Sequence, residues 1–196
     1  MVTQAERRST TIRAILDAAR KLFISRGFED TSVDEIAALA QVAKGAVYHH
    51  FASKELIFAQ IFEEMTAELA TLVPPAARAG KDVLDSIRRG TLKYLTSISG
   101  DEFRQVLLID GPKVLGWEHW RAIDARYFGG TMNTPLGREL AARTSAREIE
   151  ALGHLIAGAI SEAALVCAAS DHRVRTAKDL SAALQKMLAP FFSRRS

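Results

Sequence analysis

The run Lys44-Gly45-Ala46-Val47-Tyr48-His49-His50-Phe51, with Lys54 three residues further on, sets hydrogen-bond donors and very small side chains side by side. If Val47 and Phe51 face inward on a short helix, then Lys44, Gly45, Ala46, Tyr48, His49 and His50 are left to face out. Gly45 and Ala46 are small enough for such a helix to enter a groove closely. An alanine methyl can touch a thymine methyl, and a lysine can donate to guanine acceptors. The Tyr48 hydroxyl, an imidazole of His49 or His50, and Lys54 can each bond a phosphate oxygen. The chemistry this combination suits is recognition of duplex DNA.

The flanking sequence supplies the elements that would hold such a helix. Ile12, Ile15, Leu16, Ala19, Leu22 and Phe23 recur at spacings of three and four, which predicts a first helix. Gly27 follows Arg26 and suits the left-handed residue that ends it. Ser32 with Glu35 three residues later forms a capping box and opens a second helix, whose inner face is Val33, Ile36, Ala37 and Ala40. Gln41 and Val42 fall in a turn before the helix from about Lys44 to Phe51. Ser53 caps the next helix, with Glu55 in its first turn. The backbone N–H groups freed at that start offer another phosphate site. Two short helices around a tight turn are the sequence shape of a helix-turn-helix.

At these residues the chain resembles the TetR family of bacterial one-component regulators. The matching pieces are Gly27-Phe28, Thr31 to Ile36, Tyr48-His49-His50-Phe51 and Ser53-Lys54-Glu55-Leu56. The resemblance implies an all-α protein with an N-terminal three-helix DNA-binding head and a larger helical effector-binding and dimerisation domain. The expected division is residues 1–52 and 53–196. Carried over by position, Lys44, Gly45, Ala46 and Tyr48 would face bases, and Ser32, His50 and Lys54 would contact phosphates. Two positions depart from the family pattern: Gln41 stands where Gly is common, and Ala43 where Ser or Thr caps the recognition helix.

The remainder reads as helical throughout. Phe58, Ile61, Phe62, Met65, Leu69 and Leu72 form a stripe that should end at Pro74-Pro75. A helix through Val83, Leu84, Ile87, Leu92 and Leu95 follows, and then a short one from Phe103 that should stop at Gly111-Pro112. Ser145 with Glu148 makes a second capping box, and Thr176 with Asp179 has the form of a third, opening the last helix. The helix from Ser145 is apolar nearly all round, so it must be buried on several sides. In a chain of 196 residues a second copy is a natural cover. Leu152, Leu155, Ile156, Ala159 and Ala163, with Leu184, Met187, Leu188 and Phe191 of the last helix, are the expected homodimer face, arranged as a four-helix bundle. The family resemblance implies the same.

The middle of the chain is the expected sensor. Both tryptophans lie in Val114-Leu115-Gly116-Trp117-Glu118-His119-Trp120-Arg121. Phe62, Tyr94, Phe103, Leu107, Trp117, Trp120 and Phe128 are candidate walls of a pocket for a small apolar or aromatic effector. No HExxH, CxxC, GxSxG or phosphate-binding glycine loop occurs, so neither an enzyme, a cofactor nor a metal site is expected. The single cysteine, Cys167, cannot form an intramolecular disulfide. No apolar run reads as a membrane span and no leader is seen, so the cytoplasm is the expected location.

Net charge is only +3, and the first 55 residues hold eight Lys/Arg against seven Asp/Glu. Attraction to DNA must therefore come from placement of charge, and Asp34 and Glu29-Asp30 oppose it. Arg7, Arg8 and Arg13 offer an N-terminal arm or a solvated tail. The function expected is a homodimeric repressor that binds a palindromic operator and is released by a small molecule. The alternatives are an activator, or a helical ligand-binding protein with a degenerate head.

Overall fold

In a computed structural model that describes residues 3–128, 139 and 145–192, every regular element among the described residues is helical. The elements are α1 (Gln4–Arg26), α2 (Val33–Leu39), α3 (Lys44–His50), α4 (Lys54–Arg78) and α5 (Val83–Ile98). A single turn, α6 (Asp101–Phe103), runs into a π-helical turn (Arg104–Asp110). Then come α7 (Gly111–Leu115), α8 (Trp117–Phe128), α9 (Ala146–Ala169) and α10 (Arg173–Phe192).

Side chains fix several starts. Capping boxes at Thr3/Glu6, Ser32/Glu35 and Ser145/Glu148 each satisfy two orphan N–H groups. The first places Arg7, Arg8 and Arg13 inside α1 and not in a free arm; Arg13 is paired with Asp17 and Glu64. The α2–α3 turn is a Schellman motif. Val42 N–H reaches the Ala37 carbonyl and Gln41 N–H the Ala38 carbonyl, with Gln41 left-handed at φ 57°. A glycine holds that position without strain; here a side chain does. Ala43, the N-cap of α3, supplies no side-chain bond.

Contacts divide the chain into two compact units, 1–65 with 101–120, and 66–100 with 121–196. This is not the expected break at 52/53, because the segment 101–120 packs with the head. Phe23, Phe28 and Phe58 form the aromatic centre of the first unit, with ring centroids 5.3–5.7 Å apart. Ile15, Leu16, Ile36, Val47, Ile57 and Ile61 complete its core. The buried Asp110 carboxylate accepts the Phe28 N–H at 2.9 Å and the Gln105 amide at 3.1 Å. Gly111 lies so close to the Phe62 ring that a Cβ there would collide with it.

In the second unit α10 packs on α5 and α9. Its inward stripe is Ala177, Ser181, Leu184 and Leu188. Leu184 and Leu188, expected at the dimer face, therefore belong to the protomer's own core. Leu152 and Ile156 are half-buried around Ile149, together with Ile87 and Phe192. Ala163 is half-buried too, whereas Leu155, Ala159, Met187 and Phe191 are exposed. Ala146–Ala169 is, by length and composition, long and apolar enough to cross a membrane, which corrects the sequence reading; only 11% of its most apolar stretch is buried in the protomer.

Three boundaries also differ from expectation. Helix α4 continues through Pro74 and Pro75 to Arg78, since proline's φ is helical and only the Ala70 and Thr71 carbonyls lose a donor. Helical winding continues through Gly111-Pro112, with the proline at the start of α7, where its missing N–H costs nothing. Thr176 lies inside α10, because its hydroxyl pairs with Ser170, which also accepts the His172 N–H ahead of the helix.

Replacing Gln41 by Gly removes the left-handed side chain, and Ala43→Ser adds a missing cap. Each should raise unfolding stability by about 0.5–1 kcal/mol in denaturant titrations. The Lys54 ammonium donates to the Phe28 and Thr31 carbonyls at 2.7 and 2.8 Å and lies 4.0 Å over the Phe28 ring. Lys54→Ala should therefore cost about 2 kcal/mol of stability without any DNA present. An unchanged unfolding midpoint would show that these bonds do not hold the head together.

Candidate nucleic-acid interface

Helix α3 has an inner and an outer face. Val47 is buried and Phe51, its C-cap, packs inward. Lys44, Gly45, Tyr48 and His49 are exposed, while Ala46 and His50 are half-buried. A Cβ built on Gly45 would meet nothing within 4 Å. The protomer thus has no steric need for glycine there, although a close-fitting groove would.

A shallow depression joins α3 to the start of α2. It is lined by Glu29, Asp30, Thr31, Ser32, Val33, Asp34, Glu35, Lys44, Tyr48 and Lys54. Lys44 is not free within it: its ammonium bonds the Asp34 carboxylate at 2.9 Å, which holds the lysine pKa above its usual value. Ser32 is engaged as the α2 cap, accepting the Glu35 N–H and donating to the Glu35 carboxylate. The Ser32 N–H and hydroxyl both donate to the Glu35 carboxylate and hold it below its ordinary range, and Arg26 pairs with it at 2.7 Å. Lys54, expected on a phosphate, is turned toward the α1–α2 loop. A phosphate contact from it would have to use its one remaining proton.

The two imidazoles lie edge to face, with centroids 5.0 Å apart. His50 Nδ1 is buried and has no partner among the described residues. Burial, then the neighbouring His49 and Arg8, push the His50 pKa below its ordinary value, which favours the neutral ring. A neutral imidazole keeps one N–H to donate. The residues brought together at the head's outer face are therefore a small step (Gly45, Ala46), a phenol (Tyr48), two imidazoles and a carboxylate-bound ammonium. The Asp34 pairing could have been suspected from the sequence, where Asp34 already opposed the basic residues. What it pairs with is tertiary information.

The candidate effector residues fall in different places. Phe62, Phe103 and Leu107 are buried in the first unit. Trp120 there donates its indole N–H to the Leu107 carbonyl at 3.3 Å. Trp117 stacks near Trp120 but is 64% exposed, so it walls no buried pocket in the protomer. Tyr94 and Phe128 belong to the second unit, ring edge to ring face at 5.1 Å. Sequence reasoning missed the charged neighbours of Tyr94, Asp124 and Arg121, the latter within 3.4 Å of the Ser161 hydroxyl. The signal was present: Arg121, Asp124 and Phe128 recur at spacings of three and four on one face of α8.

Comparison with known proteins agrees with the fold. Residues 15–61 match the family of bacterial regulatory proteins described as tetR, and residues 84–191 match a tetracyclin repressor-like C-terminal domain. The TetC protein of transposon Tn10 from Escherichia coli is 27% identical over 133 residues, 66% of either chain. The regulator AcrR of Shigella flexneri is 34% identical over 99 residues, which are 50% of this chain and 46% of its own. The chain thus spans about two thirds or less of these relatives. A TetR-family transcriptional regulator of solved structure from Pectobacterium atrosepticum superposes with a TM-score of 0.77 at 27% identity, covering 96% of this chain and 97% of that one. With a helix-turn-helix head and the larger domain both matched in order, the chain belongs to the TetR family of DNA-binding transcriptional regulators.

Proposed function

We propose that the protein is a homodimeric repressor of a palindromic operator, released when a small apolar or aromatic effector binds its larger domain. The observation that carries the DNA reading is the outward face of α3, where Gly45 and Ala46 leave room and Lys44, Tyr48 and His49 supply donors. Two such heads related by a two-fold axis address half-sites about one DNA turn apart. Release requires an effector that favours the state unable to bind DNA; equal affinity for both states would shift nothing.

The dimer reading rests on α9 and α10. Leu155 is 72% and Met187 65% exposed, and Leu165, Val166 and Phe191 are exposed with them. A stripe of that size on two adjoining helices calls for a cover. Gly158, on the same side of α9 as Leu155, has nothing within 4 Å of a built Cβ. A second copy packed there would use that space for close helix approach. One observation favours another reading, a ligand-binding protein with a degenerate head: Asp34 occupies Lys44, and Glu29, Asp30 and Glu35 line the same depression.

Selection of bound sequences from a random DNA pool should recover one palindrome. Gly45→Leu should keep or raise thermal stability, since leucine is the better helix former, yet weaken binding to that palindrome by about tenfold or more. Recovery of nothing from a folded dimer, at low as well as moderate salt, would favour the degenerate-head reading. Gly158→Arg should leave the protomer folded and shift sedimentation toward the monomer. A variant that stays dimeric would move the interface off this face of α9.

A further inference from the structure

Three arginines of α1 hold carboxylates: Arg13 pairs with Asp17 and Glu64, Arg20 with Glu102, and Arg26 with Glu35. Arg8 is exposed and makes no ion pair among the described residues. A partner on its own helix would stand three or four residues away, and those positions hold Gln4, Ala5, Thr11 and Ile12. Its place is nevertheless a fixed one. The Thr3/Glu6 capping box closes the turn in front of it. Arg8, Ile12, Ile15 and Ala19 follow at spacings of four, three and four, so the arginine continues the line of the buried face of α1 past the end of the core. Arg7 lies about 100° round the helix from it.

A second observation points to the same place. His50 Nδ1, at the end of α3, is the one buried side-chain nitrogen or oxygen without a hydrogen-bond partner among the described residues. Buried polar groups are nearly always satisfied, and an exception calls for a reason. A proton on Nδ1 would strand a donor in the interior, so the ring's proton belongs on Nε2, which is left to donate outward. The charge of Arg8 reaches this ring: with burial and His49, it opposes protonation of His50. The end of α3 and the start of α1 thus bring together a neutral imidazole donor and a guanidinium without a countercharge. An anion would serve both.

We infer that Arg8 and His50 grip one DNA backbone phosphate between them, which extends the interface of α3 onto α1. Arg8 supplies the charge and a planar fork that can bond two phosphate oxygens at once, and His50 supplies a single N–H. Neither reads a base, so the site sets register and orientation and carries no sequence information. The inference rests on the DNA-facing placement of α3 proposed above, to which it adds a residue from another helix and the group each residue uses.

Because the contact is to backbone, a duplex of arbitrary sequence is a sufficient probe. Fluorescence anisotropy with the full-length protein, over a range of salt concentrations, reads both the affinity and the number of phosphates neutralised. Arg8→Ala should weaken binding about tenfold and lower the slope of log affinity against log salt by about 0.9 for each protomer bound. Arg8→Lys should keep the slope and recover only part of the affinity, since an ammonium lacks the fork. Arg7→Ala should have the smaller effect on both. Arg8→Ala combined with His50→Ala should cost less than the product of the two single losses, by about threefold or more, as residues sharing one ligand do. Unfolding midpoints show that each variant is folded. Single losses that multiply, full rescue by lysine, or equal losses from Arg7→Ala and Arg8→Ala would overturn the inference. Wild-type protein that binds no duplex even at low salt would overturn it together with the reading of α3. Arg8→Ala indistinguishable from a wild type that binds would remove this site alone.

Discussion

The buried Asp110 carboxylate is the constraint on which the head's position depends. It accepts the N–H of Phe28, the second residue after α1. A carboxylate taken from water must recover its bonds inside the protein, and losing one partner strands the charge. Gly27 makes the meeting possible. A Cβ there would press on the Gln105 amide, which donates to both oxygens of Asp110. The ring of Phe28 packs on Phe23 and Phe58, and its carbonyl receives Lys54. One residue thus ties together α1, the start of α4 and the segment from 101 to 120. A shift of Asp110 cannot stay local, because close-packed interiors pass displacement on.

That tie anchors the segment 101–120 in the first unit. It lies within the stretch matched to the family's C-terminal domain, yet it packs with the head. Trp120 closes it by bonding the Leu107 carbonyl, and the next residue of the same helix is Arg121. Extra-residue turns such as the π-helical one at Arg104–Asp110 recur at functional sites.

What the sequence revealed, and what it did not, divides along physical lines. Ser32/Glu35 and Ser145/Glu148 are legible because a capping box is closed by residues three apart. Gly27 and the inward Val47 and Phe51 are legible for the same reason, since local spacing fixes them. Thr176/Asp179 has the same spelling but lies within α10, because Ser170 reached the preceding turn first. Lys54 reads as a phosphate ligand until the Phe28 and Thr31 carbonyls are seen below it. Leu184 and Leu188 could not be separated from Met187 and Phe191 by hydropathy. Helix α5 takes one side of α10, and only the packing says which. Asp124 was hidden between apolar neighbours, although its spacing to Arg121 and Phe128 was available.

The acidic depression beside α3 bears on specificity more than on affinity. Both partners of the Asp34–Lys44 bond are more than half exposed. Exposed pairs of this kind contribute about 0.2–1 kcal/mol, and salt weakens them. A well-formed bond from lysine to guanine acceptors is worth about 1–3 kcal/mol of discrimination. If Lys44 faces a base, as proposed, it would leave Asp34 for the right one at a net gain. Against a wrong base the exchange gains little, and Asp34 then faces the DNA as an unpaired negative charge. The pair taxes every sequence equally and is outweighed only where the base contact is good. A nearly neutral head with Asp34 beside its foremost lysine is consistent with a reader that gives up general attraction to phosphates for selectivity between sites.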